Sequence, residues 1–165
     1  VRYLRSRGFE AYGIEQSEAV LRIECPDLLN SGVVEPGVLT SLPYADDSFD
    51  LVFSADVLEH LSPDEADSVV KELIRVSRQD IFLSISLKSH TKVSAINSSD
   101  AFRHTLLRPR SWWEDLFGQH GAEINSRMIW AMQETDTFLN PTELFDCRKE
   151  GDSRYGGWYD VCVVN

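Results

Sequence analysis

Glu15, the run Ser54-Ala55-Asp56 and the histidine at position 60 are the residues from which chemistry can first be argued. Glu15 closes the segment Phe9-Glu10-Ala11-Tyr12-Gly13-Ile14, which reads as a strand. A carboxylate at such a strand end can accept hydrogen bonds from two sugar hydroxyls, as the acid after the second strand does in nucleotide-binding α/β folds. The plainer alternative is a solvated carboxylate at the start of the next helix. Ser54-Ala55-Asp56 follows Phe49-Asp50-Leu51-Val52-Phe53, a short apolar run broken only by Asp50. Such a run suits a strand buried on both faces of a parallel sheet. Ligands bind open parallel sheets at the carboxyl ends of the strands. His60 stands just beyond that edge; its alternative is a histidine at a helix start, packing on the core. Lys88-Ser89-His90 closes another apolar run, Ile81 to Leu87.

The elements that must hold these groups alternate. Val1 to Arg7 reads as a helix end, with Gly8 placed to finish it in the left-handed conformation. Ser17 can cap a helix running to Leu21 or Ile23. Cys25 to Pro36 reads as irregular, and Val38-Leu39-Thr40 as a short strand. Asp46-Asp47-Ser48 is turn chemistry. Ser62-Pro63-Asp64-Glu65 is a capping box with proline at the first helical position. Ala66, Val69, Val70, Leu73, Ile74 and Val76 then form a core-facing stripe, with Lys71, Arg75 and Arg78 on or near the wet side. Ser111-Trp112-Trp113-Glu114 is a second capping box, for a helix stopping near Gly118 or Gly121; its tryptophans read as packing rather than as a stacking platform. Ile124 to Met132 and Trp158 to Val164 read as strands with no helix between them. The segments 91–104 and 133–156 are loops of a length that often carries specificity. The order predicts an α/β fold: a doubly wound, mostly parallel sheet closed by a C-terminal antiparallel hairpin.

The bulk numbers narrow the function classes. The 165 residues suffice for one domain with a core, and the balance of 42% hydrophobic and 26% charged residues is globular. Sixteen Lys and Arg against 27 Asp and Glu give a net charge of −11, which argues against a broad nucleic-acid footprint. Arg103, His104, Arg108 and Arg110 cluster, and read best as a solvated helix approach. Three cysteines, Cys25, Cys147 and Cys162, have no metal or disulfide pattern; Cys162 reads as a small core residue and the set as belonging to a reducing compartment. No run approaches the ~20 apolar residues of a membrane span, and no targeting segment is visible, so a cytoplasmic setting is expected.

Leu42-Pro43-Tyr44-Ala45-Asp46-Asp47-Ser48-Phe49-Asp50-Leu51-Val52, followed by Val57-Leu58-Glu59-His60-Leu61, resembles the LPF-x-D-x-SFD-x-V … LEH signature of class I S-adenosylmethionine-dependent methyltransferases. Tyr12-Gly13-Ile14-Glu15-Gln16-Ser17 is similar to the family's second-strand segment. His104-Thr105 through Pro109-Arg110-Ser111-Trp112-Trp113-Glu114 resembles a variant seen in bacterial-type small-molecule members. The resemblance implies a Rossmann-like fold, S-adenosylmethionine as cofactor and a small-molecule acceptor. It implies that Glu15 receives the ribose hydroxyls, that Gln16 lies beside the adenosine, and that Leu39 and Thr40 line the adenine edge. Ser54 and Ala55 would approach the methionine part through backbone groups, with Asp56 beside them, and His60 would stand at the mouth of the transfer cavity.

Two departures stand out. Where the family commonly has an acid for the adenine amino group, this chain has Val38, with Thr40 and Ser41 as polar neighbours. The first strand and its Gly-x-Gly-x-Gly turn are absent, since the nine glycines include no such spacing. Without that strand, the one ending at Glu15 would leave buried backbone groups unpaired. The chain therefore reads as a single methyltransferase-like domain, 1–165, truncated at its N-terminus, and an upstream segment of some tens of residues is expected.

Methyl transfer from a sulfonium asks mainly for alignment, and for a base only where the acceptor must lose a proton. His60 and His104 are the candidate catalytic groups, ahead of His90 and His120. No pair of histidines or carboxylates has metal-ligand spacing along the sequence, which argues against a metal-dependent enzyme. An inactive methyltransferase-like subunit of a larger assembly is the alternative, favoured by the missing glycine turn and by Val38. A dehydrogenase would share the strand-end acid but not the Leu42–Leu61 stretch.

Overall fold

The structure, a computed structural model, describes residues 1–87 and 104–125, with the backbone alone for Ser86 and for residues 159–164. The expectations for Lys88–His90, the 91–103 and 133–156 loops, residues 126–132, Cys147 and the Cys162 side chain lie outside the described residues. The chain divides into two compact units, Val1–Ala45 and Asp46–Asn165.

The first unit opens with helix α1 (Arg2–Ser6), closed by Gly8 at φ 89° as its sequence predicts. Phe9 donates its N–H to the Leu4 carbonyl at 3.1 Å, so this residue completes the helix end instead of starting a strand. Strand β1 is accordingly shorter than expected, Gly13–Glu15. Helix α2 (Glu18–Glu24) is capped by Ser17, whose hydroxyl accepts from the Val20 N–H at 3.3 Å. The stretch expected to be irregular instead holds α3 (Pro26–Asn30) and β2 (Val34–Pro36). Pro26 fits the first turn of α3, where its missing donor costs nothing, and Gly32 at φ 68° turns the chain out of it. Strands β1 and β2 pair in parallel, Gly13 with Val34 through Glu15 with Pro36. Leu21, Val33 and Val34 form the core, with Cys25, Leu28 and Leu29 packed against it. The segment expected as a third strand is a tight turn, Val38 bridging to Ser41.

The second unit begins with the predicted turn, Asp47 at φ 54° donating its N–H to the Arg75 carbonyl at 2.9 Å. Strand β3 (Phe49–Ala55) runs into a single 3₁₀ turn, Leu58–His60. Helix α4 (Ala66–Val76) starts three residues later than the capping box predicts. Glu65 does reach back to the Ser62 N–H at 3.0 Å, but the Ser62 hydroxyl donates to the same carboxylate oxygen rather than capping the helix. Those bonds hold the Glu65 carboxyl below its ordinary range. Strand β4 (Ser77–Ser86) follows directly, so Arg78 lies on a strand and pairs with Asp50 across the sheet. Helix α5 (Arg110–Gln119) begins at Pro109, and Ser111 lies inside it instead of capping it. The sheet order is β3-β4-β5, with β4 parallel to β3 and the closing strand β5 (Tyr159–Val164) antiparallel to β4.

Helix α4 packs on β3 and β4, and α5 touches α4 and β5. Val69, Val70, Leu73, Trp113 and Phe117 on these helices are buried, as are Ile81, Leu83 and Ile85, alternate residues of β4 that share one face of the sheet. The other face carries the stacked pair Phe53 and Phe82, ring centroids 5.3 Å apart. Leu51 and Phe53 are 50% and 58% exposed there. No residue of β3 is fully buried, and Leu51 and Phe53 are exposed, which corrects the expectation of a strand buried on both faces. Trp113 is buried and meets Trp112 edge-on at 4.9 Å, in line with the packing role. Arg108 lies over the Trp112 ring, and Arg110 is paired with Glu114 at 2.6 Å.

Candidate active site

In the first unit the candidate residues gather at the carboxyl edge of β1 and β2. Glu15 is the last residue of β1, half-buried, and its Oε1 accepts from the Ser17 N–H at 2.8 Å. That bond fixes the carboxylate over the start of α2, where partial positive charge from the helix favours it. A carboxylate can accept about four hydrogen bonds, so capacity for a diol remains. The Glu15 carbonyl accepts from the Gly37 N–H at 3.0 Å, which brings the next turn alongside. Leu39 and Thr40 are the central residues of that turn, both half-buried, while Gln16 is exposed. Val38 is 46% exposed and offers no polar group. Burial, reinforced by the Glu35 carboxylate and by Tyr12, pushes the Tyr44 phenol up.

In the second unit, β3 delivers Ser54 and Ala55, both half-buried, to its carboxyl end, paired with Leu83 and Ser84. Asp56 then takes φ 55°, unusual for a residue with a Cβ, and donates its N–H to the Ser84 carbonyl at 2.9 Å. Strain of this kind concentrates at functional sites. The 3₁₀ turn follows, with Leu58 and Glu59 buried and His60 exposed. Residues 104–106 are stapled to this turn. Leu106 donates its N–H to the Glu59 carbonyl at 2.9 Å, and the Thr105 hydroxyl lies 3.0 Å from the His60 carbonyl and 2.7 Å from that of Leu61. The staple brings the His104 ring edge-on to His60, with centroids 4.8 Å apart and planes at 81°.

The structure therefore brings together His60 and His104, and beside them Glu59, which sequence reasoning passed over. Spacing along the chain does not show this grouping, in which one ligand atom from each of the three residues lies within 4.8 Å of the others. His104 reaches the cluster from a distant segment, so no local pattern could show it. The signal for Glu59 was its place in Leu58-Glu59-His60-Leu61, where a charged residue sits between apolar neighbours. His120 is elsewhere, 2.7 Å from Asp67. Glu15, Gln16, Leu39 and Thr40 lie on the first unit, and Ser54 to Asp56, His60 and His104 on the second.

Residues 1–85 match the family described as a methyltransferase domain. The chain belongs to that family. The matched region of this methyltransferase domain contains every candidate above except His104. The probable pectin methylesterase CGR3 of Arabidopsis thaliana is 32% identical over 119 residues, covering 72% of this chain and 45% of its own length. The chain thus spans under half the length of that curated relative. Among solved structures, the PH0226 protein of Pyrococcus horikoshii shares the fold at a TM-score of 0.59 and 18% identity, over 99% of this chain and 74% of its own. A Haemonchus contortus phosphoethanolamine N-methyltransferase 2, solved with S-adenosylhomocysteine, shares it at 0.56 and 16% identity, over 75% of this chain and 31% of its own. The fold is the Rossmann-like one of class I methyltransferases.

Proposed function

We propose that the protein transfers a methyl group from S-adenosylmethionine to a small-molecule acceptor. The observation that carries this reading is the family match over residues 1–85, because it spans both strand-end edges, at Glu15 and at Asp56. The residues present fit the cofactor: a half-buried carboxylate at a strand end suits a ribose diol, and the Leu39–Thr40 turn beside it offers an apolar edge to a base. Gln16 stands next to the diol acceptor, on the adenosine side. When bound, S-adenosylmethionine supplies a methyl on a sulfonium, a good leaving group. The chain's own residues then have to orient and to move one proton. Glu15 holds the sugar; Ser54 and Ala55 present backbone groups to the amino-acid part, with Asp56 beside them. His60 or His104 takes the proton of a hydroxyl or amine acceptor as the nucleophile bonds to the methyl carbon.

A second reading draws on the Arabidopsis relative, named a probable pectin methylesterase, an activity that cleaves the methyl ester of an acidic sugar; carried out by a methyltransferase domain, the reaction would form that ester instead. In that case the acceptor is the carboxylate of an acidic sugar. A carboxylate is already ionised at neutral pH and needs no base, so the histidines would orient it instead. The net charge of −11 works against a long polyanion and favours a short one.

Calorimetry of the full-length protein with S-adenosylmethionine and S-adenosylhomocysteine tests the reading. Binding is expected, and Glu15→Ala should weaken it by about 10- to 100-fold, the loss of hydrogen bonds to a charged group. Failure to bind at millimolar concentration rejects the enzyme and leaves an inactive subunit of a larger assembly. Turnover with a galacturonate oligomer but with no hydroxyl or amine acceptor would select the second reading.

A further inference from the structure

We propose that Glu59, His60 and His104 form a binding site for a divalent transition-metal ion. The donor atoms of the three residues converge within 4.8 Å. An ion bound at about 2.0–2.2 Å holds its ligands roughly 3.0–3.5 Å apart. Closing the cluster onto an ion therefore asks its donor atoms to draw together by about an ångström. His60 is exposed and His104 half-buried, so the cluster opens to solvent on the His60 side. The rings already stand nearly perpendicular, not stacked, an arrangement that lets two ring nitrogens aim at one point.

The backbone around the cluster is set before any ion arrives. The 3₁₀ turn is closed by His60 N–H to the Val57 carbonyl at 3.0 Å and Leu61 N–H to the Leu58 carbonyl at 3.2 Å. The Thr105 and Leu106 bonds then clamp the segment bearing His104 onto the same turn. Glu59 is 1% exposed, in a part of the fold whose neighbours Leu58 and Leu106 are equally buried. Buried carboxylates are costly unless they are paired or coordinate a cation. A buried carboxylate converging with two imidazoles is a donor set that a transition-metal cation accepts without change of ligand type.

The chemistry of the donors selects the ion. One carboxylate and two imidazoles suit zinc, cobalt, iron(II) or manganese, whereas magnesium and calcium prefer oxygen ligands throughout. Three protein ligands leave at least one coordination position open, which is the pattern of catalytic rather than structural sites. His60 on the exposed side marks where that open position meets solvent. Binding of the ion stands independently of the methyl-transfer reading; only its use rests on that reading. Under it, an acceptor oxygen on the open position would lose its proton more easily, and His60 and His104 would act as ligands instead of free bases.

The test uses the full-length protein, treated with chelator and titrated by calorimetry with zinc, manganese and cobalt chlorides in separate experiments, without S-adenosylmethionine. One ion per chain is expected, with visible absorption from the cobalt form. His60→Ala, His104→Ala and Glu59→Gln should each weaken binding at least about tenfold, and His120→Ala should leave it unchanged. Glu59→Gln alters a buried group, so far-UV circular dichroism accompanies every variant. His60→Ala removes an exposed side chain and decides the matter if Glu59→Gln unfolds. Nitrogen shifts of the histidine rings on adding zinc should move for two histidines only, those lost in His60→Ala and His104→Ala. No saturable binding, or binding retained in His60→Ala and His104→Ala, overturns the site. Calorimetry with S-adenosylmethionine on the chelator-treated protein reads the methyl-transfer proposal separately, so either can fail alone.

Discussion

Replacing Thr105 by valine removes one hydroxyl and keeps the shape of the side chain. The hydroxyl has a single proton, shared between the carbonyls of His60 at 3.0 Å and Leu61 at 2.7 Å. The loss is therefore one net hydrogen bond, not two, and such bonds contribute about 0.5–1.5 kcal/mol. Thr105 is exposed, so water can take over the carbonyls and the lower part of that range applies, about 0.5–1 kcal/mol. The place to read it is the neighbouring amide. Leu106 donates its N–H to the Glu59 carbonyl at 2.9 Å and is otherwise buried, so that proton exchanges only when the clamp opens. A loss of 0.5–1 kcal/mol in the clamp should speed Leu106 exchange by about two- to fivefold. In urea, with a slope of about 2 kcal/mol/M, the midpoint should fall by no more than about 0.5 M. Thr105→Ser keeps the hydroxyl and should exchange like the parent. Unchanged Leu106 protection in Thr105→Val would show that the clamp is held by something else, and that the account of how His104 reaches His60 is wrong.

Asp56 sits at φ 55°. Asp56→Ala should be less stable than Asp56→Gly by about 1 kcal/mol, because only the former keeps a Cβ in the left-handed region; equal urea midpoints would refute the strain. The Asp67 carboxyl is held below its ordinary range by Lys71 first and by His120 second. A depressed carboxyl stabilises the fold above its unfolded value and loses that contribution as pH falls through the folded one. The advantage of the parent over Asp67→Asn should thus be present at pH 7 and shrink below about pH 4; a gap independent of pH in urea titrations would contradict this. Trp113 is 1% exposed and Trp112 half-buried. Trp113→Ala should cost about 3–5 kcal/mol in denaturant unfolding, and Trp112→Ala clearly less.

The sequence was most legible where one residue type admits one backbone. Gly8 ended its helix, Ser17 capped the next, and Asp46-Asp47-Ser48 made the turn into β3. It was less legible where two local solutions compete. Phe9 could extend a strand or finish a helix, and the hydrogen bond to Leu4 decided for the helix. Ser62 could cap α4 or bond its own Glu65, and the second geometry pushed the helix start back to Ala66. Between Cys25 and Pro36, proline and glycine read along the sequence as breakers, whereas Pro26 starts a five-residue helix and Gly32 turns the chain out of it. Burial of β3 was read from apolar composition alone, which reports what a strand could cover but not how many layers cover it.

The candidate site divides along the same line. The positions of Glu15 and Asp56 were legible because they are set by strand ends, and strand ends are local. The His60–His104 contact was not, because it depends on which distant segment returns to the 3₁₀ turn, and the bonds that decide it come from Thr105 and Leu106, residues with no chemical signature of their own. Glu59 was missed for a related reason: its alternation with Leu58 and Leu61 hides whether the carboxylate points to water or inward, and only the fold shows that it is buried. A carboxylate buried beside two imidazoles changes what the histidines can do. Proton acceptance needs a ring nitrogen left free, while ligation uses that same lone pair, so the two roles exclude each other at any one nitrogen. The chemistry of this edge therefore turns on what Glu59 faces, more than on which histidine is nearest the acceptor.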